Sequence, residues 1–140
     1  MDTSLVSQIN WIAVLLAAVA YFMLGALWYG GLFSRKWTAQ HKIDLTDPDL
    51  KKGTAAIMFG SFLLMLLTTI GLAILVERLD LRFGFLSGLK LGLLSGTLFS
   101  AAAISITYLY LKKPLGLHLI DGLYHVVGQV TAAIILCIWR

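Results

Sequence analysis

Apolar residues in this chain fall into four long blocks parted by short polar stretches, with neither strict alternation nor a single helical stripe. A helix crossing a hydrocarbon core of about 30 Å needs about 20 mainly apolar residues. Four segments meet that length: about Ile9–Phe33 and about Ala55–Val76, both uncharged, about Phe85–Leu111 interrupted by Lys90, and about Leu117–Trp139 containing Asp121. One such block could be a buried helix of a soluble protein, but four that fill most of the chain predict a bundle of transmembrane helices. The expected fold is therefore all-α and polytopic, a single four-helix domain over residues 1–140 with no linker and no internal repeat.

Composition strengthens this reading. Hydrophobic residues make up 59% and charged residues 13%, against roughly 25% charged in an ordinary soluble domain. The mean hydropathy of +0.88 reflects more apolar surface than a soluble fold of this length can hide. One cysteine, Cys137, excludes an intramolecular disulfide framework, a cysteine zinc cluster and a two-cysteine redox pair within one chain. Met1–Asn10 lacks the basic residues of a signal peptide, so the first block is expected to be a permanent anchor.

Basic residues predict the orientation. The first connection carries Arg35, Lys36, Lys42, Lys51 and Lys52, and the third carries Lys112 and Lys113. The other side has Arg78, Arg82 and Arg140. Seven against three places the first and third connections in the cytoplasm and both termini outside a cell membrane. The net charge of +4 is then that of ordinary juxtamembrane loops, and no nucleic-acid partner is expected. Trp11 and Trp28 lie about 25 Å apart along a helix, near the two interfaces of the first span. Tyr29, Trp37, Tyr108 and Tyr110 extend the belt at one interface, and Trp139 marks the other. All are expected to act as interface anchors, not as a ligand cage. Asp47-Pro48-Asp49 has the order of an N-cap, a proline at N1 and a first-turn acid, predicting that the second helix starts there. Pro114 punctuates the third connection.

Gly84, Gly88, Gly92 and Gly96, continued by Ser100, place a small residue at every fourth position of the third span, a glycine zipper. In lipid such a groove lets another helix approach closely and gain van der Waals contact. Ala56 and Gly60 offer a weaker version on the second span. Periodicity does not choose between packing within the bundle and an interface in a homo-oligomer.

Ionisable groups inside spans are costly, about 2.5–3.5 kcal/mol at mid-helix, and are functional suspects. His118, Asp121, His125 and Gln129 share a stripe about 80° wide on the fourth span. Such a face suits a proton or cation path or a polar head group; equally it suits hydrated helix ends and interhelical hydrogen bonds at about 0.6 kcal/mol each. His118, Asp121 and His125 have i,i+3 and i,i+4 spacings compatible with a metal, but His41 stands apart in a polar loop and Cys137 lies turns away. No metal or cofactor is expected. Lys90 points away from the glycine groove and is expected to reach the nearer interface, with Gln129 as the partner to test. No nucleophile–base order and no phosphate-binding glycine loop is present, so an enzyme is not expected.

Asn10-Trp11, Ala13-Val14, Gly25, Trp28-Tyr29, Phe33 and Trp37 in the first span and its exit resemble the opening of the small membrane proteins grouped as domain of unknown function 1761. The glycine-rich third span and the closing Leu119-Ile120-Asp121-Gly122, Tyr124-His125 and Trp139 fit the same pattern. The chain departs from it at Gly31, where many members carry proline. The resemblance implies a four-span protein of a bacterial inner membrane and implies no reaction, substrate or cofactor. Taken together, the expected function is a non-enzymatic accessory protein that binds a lipid or a membrane-protein partner. The alternative is a small proton- or cation-coupled transporter or channel using the polar face of the fourth helix.

Overall fold

The computed structural model describes residues 7–81 and 84–139; Arg82 and Arg140, two of the basic residues weighed above, lie outside them. The protein is a four-helix membrane bundle. Among the described residues four helices long and apolar enough to cross a membrane occupy Trp11–Leu32, Thr54–Arg78, Gly84–Tyr110 and Leu115–Ile138, within two residues of the expected bounds. The first consists of α1 (Trp11–Leu27) and a π-helical turn at Trp28–Leu32. A short helix α2 (Ser34–His41) occupies the first connection, then comes α3 (Thr54–Arg78). The third span joins α4 (Gly84–Ser95) through a π turn (Gly96–Ala101) to α5 (Ala102–Tyr110), and the fourth is α6 (Leu115–Ile138).

Local chemistry sets these ends. Asn10 caps α1, its Oδ1 accepting from the backbone N–H of Ile12 and Ala13, both at 3.1 Å. Asp47 likewise accepts from Asp49 N–H at 2.9 Å, but the element it starts is a single 3-10 turn, Pro48–Lys51. The expectation that the second helix begins there is corrected: Lys52 is extended, Gly53 is left-handed at φ +75°, and α3 begins at Thr54. The cap and the proline were sufficient for one turn, which the extended Lys52 ends before the left-handed Gly53 leads into α3. Nearby, Thr46 donates to Asp44 through its N–H and hydroxyl, which holds that exposed carboxyl below the ordinary carboxylate range.

Helices α2 and α5 end in paired reverse-turn bonds, Ile43 N–H to Thr38 O at 3.0 Å and Lys113 N–H to Tyr108 O at 3.0 Å. The left-handed residue in each is a lysine, Lys42 and Lys112, where glycine is usual. These turns place the lysines at the end of the bundle that carries the first and third connections, here called the basic end.

The fourth span is the centre of the bundle. It is the most buried of the four and packs against each of the other three. Near the chain termini, Ala13, Val14 and Ala17 of α1, Leu72, Ala73 and Val76 of α3 and Ala132, Ala133 and Leu136 of α6 form one apolar cluster. Alanines at the contact let the backbones approach closely. Toward the basic end α1 and α3 part, and two cavities open there.

The glycine stripe packs against α6. A Cβ on Gly88 would meet the backbone of Ile134 and Ala133, one on Gly92 the backbone of Val130 and Gln129, and one on Gly96 would lie 2.6 Å from Val126 Cα. Gly84 is different: a Cβ there would meet nothing within 4 Å, and its φ of +51° sets the helix start. Ser100 ends the series by accepting a hydrogen bond from Gln129 Nε2.

Candidate functional site

Asp121 is buried in the first turns of α6 and is gripped by groups from three other elements. Tyr29 Oη, from the π turn, donates to Oδ1 at 2.7 Å, and Trp37 Nε1, from α2, donates to the same oxygen at 3.1 Å. Tyr108 Oη, from α5, donates to Oδ2 at 2.5 Å. Asp121 thus accepts three hydrogen bonds; the two phenol bonds are short, at 2.7 and 2.5 Å, and the indole bond has an ordinary length of 3.1 Å. His41 Nε2 lies 4.0 Å from Oδ2, beyond hydrogen-bond reach, and is buried with no hydrogen-bond partner among the described residues.

Each donor arrives for a local reason. The π turn fits an extra residue into one helical turn and so shifts the phase of the residues after it; Trp28 is packed inside, donating to Ile120 O at 3.0 Å, with Tyr29 beside it. Phe33 stacks on Trp28, ring centroids 4.8 Å apart, and the chain turns into α2. Trp37 and His41 are i,i+4 on α2, their rings 4.5 Å apart, and so share the face toward Asp121.

The interface-anchor reading of Trp28, Tyr29, Trp37 and Tyr108 is therefore corrected. Their polar tips turn inward, because a phenol or indole leaving water needs an acceptor and Asp121 and the Ile120 carbonyl supply them. Trp11 and Trp139 are about half exposed. Tyr110 also remains outside, 87% exposed.

The polar stripe of α6 does not act as one unit. His118 packs its ring against Tyr108 at 5.4 Å. His125 Nδ1 pairs with Tyr21 Oη at 2.5 Å. Gln129 bonds Ser100, not Lys90; Lys90 is exposed on the face of α4 away from the glycines. His41 joins Asp121 although it lies outside the apolar blocks. Among the described residues no group of three or more His, Cys, Asp or Glu side chains is placed to hold a metal ion.

Two cavities share walls at this site. A recess of about 340 Å³ is lined by Asp121, His41, Trp37, Tyr29, Tyr108 and His125, with Ile104 and Thr107. A cleft of about 810 Å³ between α1 and α3 is largely apolar, with Phe22, Ala26, Ile57, Met58, Leu64 and Met65 among its walls. Tyr29, Trp37 and His125 line both. Ile57, Met58 and Leu64 are exposed at its edge, so the cleft opens sideways toward the surface that lipid contacts.

No curated protein and no solved structure matches the chain. The model of a family described as proteins of unknown function (DUF1761) matches residues 12–137. A match over nearly the whole chain includes every residue of the site, and the chain belongs to that family.

Proposed function

We propose that the protein is a non-enzymatic lipid-binding protein of the membrane, holding an acyl chain in the α1–α3 cleft and a head group in the Asp121 recess. The observation that carries this is the adjacency of the two cavities: a largely apolar cleft open to the bilayer lies beside a smaller recess lined by Asp121 and His41, and Tyr29, Trp37 and His125 line both. An amphiphile is the class of molecule with that division. The cleft volume of about 810 Å³ lies within the roughly 300–1,000 Å³ range of small-molecule sites. With the seven basic residues of the first and third connections in the cytoplasm, the recess lies at the cytoplasmic head-group level.

The transporter reading has less support. Asp121 and Gln129 are about 12 Å apart along α6, and beyond Gln129 the interior is filled by the apolar cluster around Ala13, Ala17 and Ala132, all with no exposed surface. That packing favours a site entered from one side over a path between two. Gly88, Gly92 and Gly96 facing α6 of their own chain favours packing within one chain over a subunit interface.

The test is native mass spectrometry of the protein released from nanodiscs, comparing wild type with Ser61→Phe. Ser61 lines the cleft, and its hydroxyl bonds only its own helix, to Ile57 O at 2.8 Å. Wild type is expected to retain lipid and Ser61→Phe to lose it. Equal retention by both, or none by wild type, overturns the proposal.

A further inference from the structure

The recess has one unfilled requirement. Asp121 has about four acceptor positions, of which Tyr29, Trp37 and Tyr108 fill three. The remaining capacity, on Oδ2, faces His41 Nε2 across 4.0 Å, and that nitrogen is itself buried and unpaired among the described residues. Both residues line the 340 Å³ recess. A group that donates at least two hydrogen bonds from one atom, seated beside this gap, bonds the carboxyl oxygen and, with His41 in its Nδ1–H tautomer, the Nε2 lone pair together. A primary ammonium has three donors and no acceptor, and its charge complements Asp121. A phosphate would instead meet carboxylate oxygen.

Charges around the recess have the opposite sign. Arg35 and Lys36 lie on α2, the helix that carries Trp37 and His41, and Lys112 and Lys113 lie just beyond α5, which carries Tyr108. Arg35, Lys36 and Lys112 are exposed. The site thus has a buried acidic side chain, with exposed cations on or next to the helices that carry its hydrogen-bond donors. This is the complement of a zwitterion whose ammonium reaches inward while its phosphate stays at the surface.

We propose that the Asp121–His41 recess selects a primary ammonium head group, so that the lipid held by the protein is an aminophospholipid. This rests on the cleft reading and adds to it the identity of the head group. Asp121 Oδ2 and His41 Nε2 accept two ammonium hydrogens, and the basic residues of α2 and the third connection take the phosphate.

The experiment is lipid competition in nanodiscs containing phosphatidylethanolamine, phosphatidylcholine and phosphatidylglycerol in equal amounts with identical acyl chains, read by native mass spectrometry. Phosphatidylethanolamine is expected to be enriched about tenfold over each of the others, the equivalent of about 1.4 kcal/mol. Asp121→Asn and His41→Phe are expected to retain lipid but to bring the three classes to parity. If Asp121→Asn does not fold, His41→Phe alone decides, because no hydrogen bond to its Nε2 is lost. Soluble glycerophosphoethanolamine is expected not to displace the lipid. Retention of the three lipids without preference in wild type, or undiminished preference in His41→Phe, overturns the head-group assignment and leaves the cleft reading standing. Displacement by the soluble head group overturns the assignment to a lipid source. If no lipid is retained by wild type, both readings fall.

Discussion

Replacing Gly92 by alanine puts a methyl group where the backbone of α6 already lies. The added Cβ would sit 2.6 Å from Val130 N and 2.8 Å from Gln129 O, with Val130 Cα closer still. These are backbone atoms in the middle of a helix and cannot rotate away. To restore ordinary contact α4 must withdraw by about 1 Å, and a gap of that size forfeits a quarter to a half of each dispersion contact along the seam. Gly88 and Gly96 share the seam, so their contacts loosen as well. Overpacking of this kind costs typically about 1–3 kcal/mol, and a backbone clash belongs at the upper end. Alanine gains back about 1 kcal/mol of helix propensity over glycine, leaving a net loss of about 2 kcal/mol. The control is Gly71→Ala on α3, where a Cβ meets nothing within 4 Å and only the propensity gain of up to about 1 kcal/mol applies. Equilibrium unfolding in mixed micelles, driven by a denaturing detergent, reads both. Gly92→Ala should unfold earlier than wild type and Gly71→Ala at the same point or later. Equal stability of the two variants would refute the intramolecular packing of the stripe.

Asp121→Leu leaves Tyr29, Trp37 and Tyr108 without their acceptor and should cost about 2–4 kcal/mol, since these donors are half-buried; Asp121→Asn keeps one oxygen and should cost about half as much in the same unfolding assay, so equal costs would contradict the assigned bonds. Lys112→Gly relieves a left-handed lysine at φ 51° and should stabilise the protein by about 1 kcal/mol, a gain that thermal unfolding in detergent would detect. Ser61→Phe should abolish lipid retention without lowering stability, as its hydroxyl bonds only its own helix. His41→Phe should remove head-group preference while lipid remains bound.

Much of this architecture was legible from hydropathy alone, because apolar length is what a bilayer imposes and all four spans exceed it. The burial of Asp121 and Gln129 agrees with their common face on α6. The packing of the stripe against α6 was one of two open alternatives, since four-residue spacing describes a groove and not what fills it. The donors to Asp121 were missed for a similar reason. Tyr29 and Trp37 lie 92 and 84 residues from it, and belt aromatics and inward-turned aromatics have the same position along a helix. A signal was nevertheless present: a lone acid within an apolar span needs donors, and Trp28, Tyr29 and Trp37 carry polar tips at matching depth. The π turn that shifts the phase at Trp28–Leu32 had no counterpart in the hydropathy pattern, and its twin glycines, Gly30 and Gly31, were its only visible trace.

The most direct test of the lipid-binding account uses Trp37, which lines both the cleft and the recess. With Trp11, Trp28 and Trp139 replaced by phenylalanine, its fluorescence is measured in bilayers of acyl-brominated phosphatidylethanolamine, whose bromine quenches only at contact. The account predicts strong quenching that falls sharply when Ser61→Phe fills the cleft. Quenching unchanged by Ser61→Phe, or none in the unfilled protein, would contradict it.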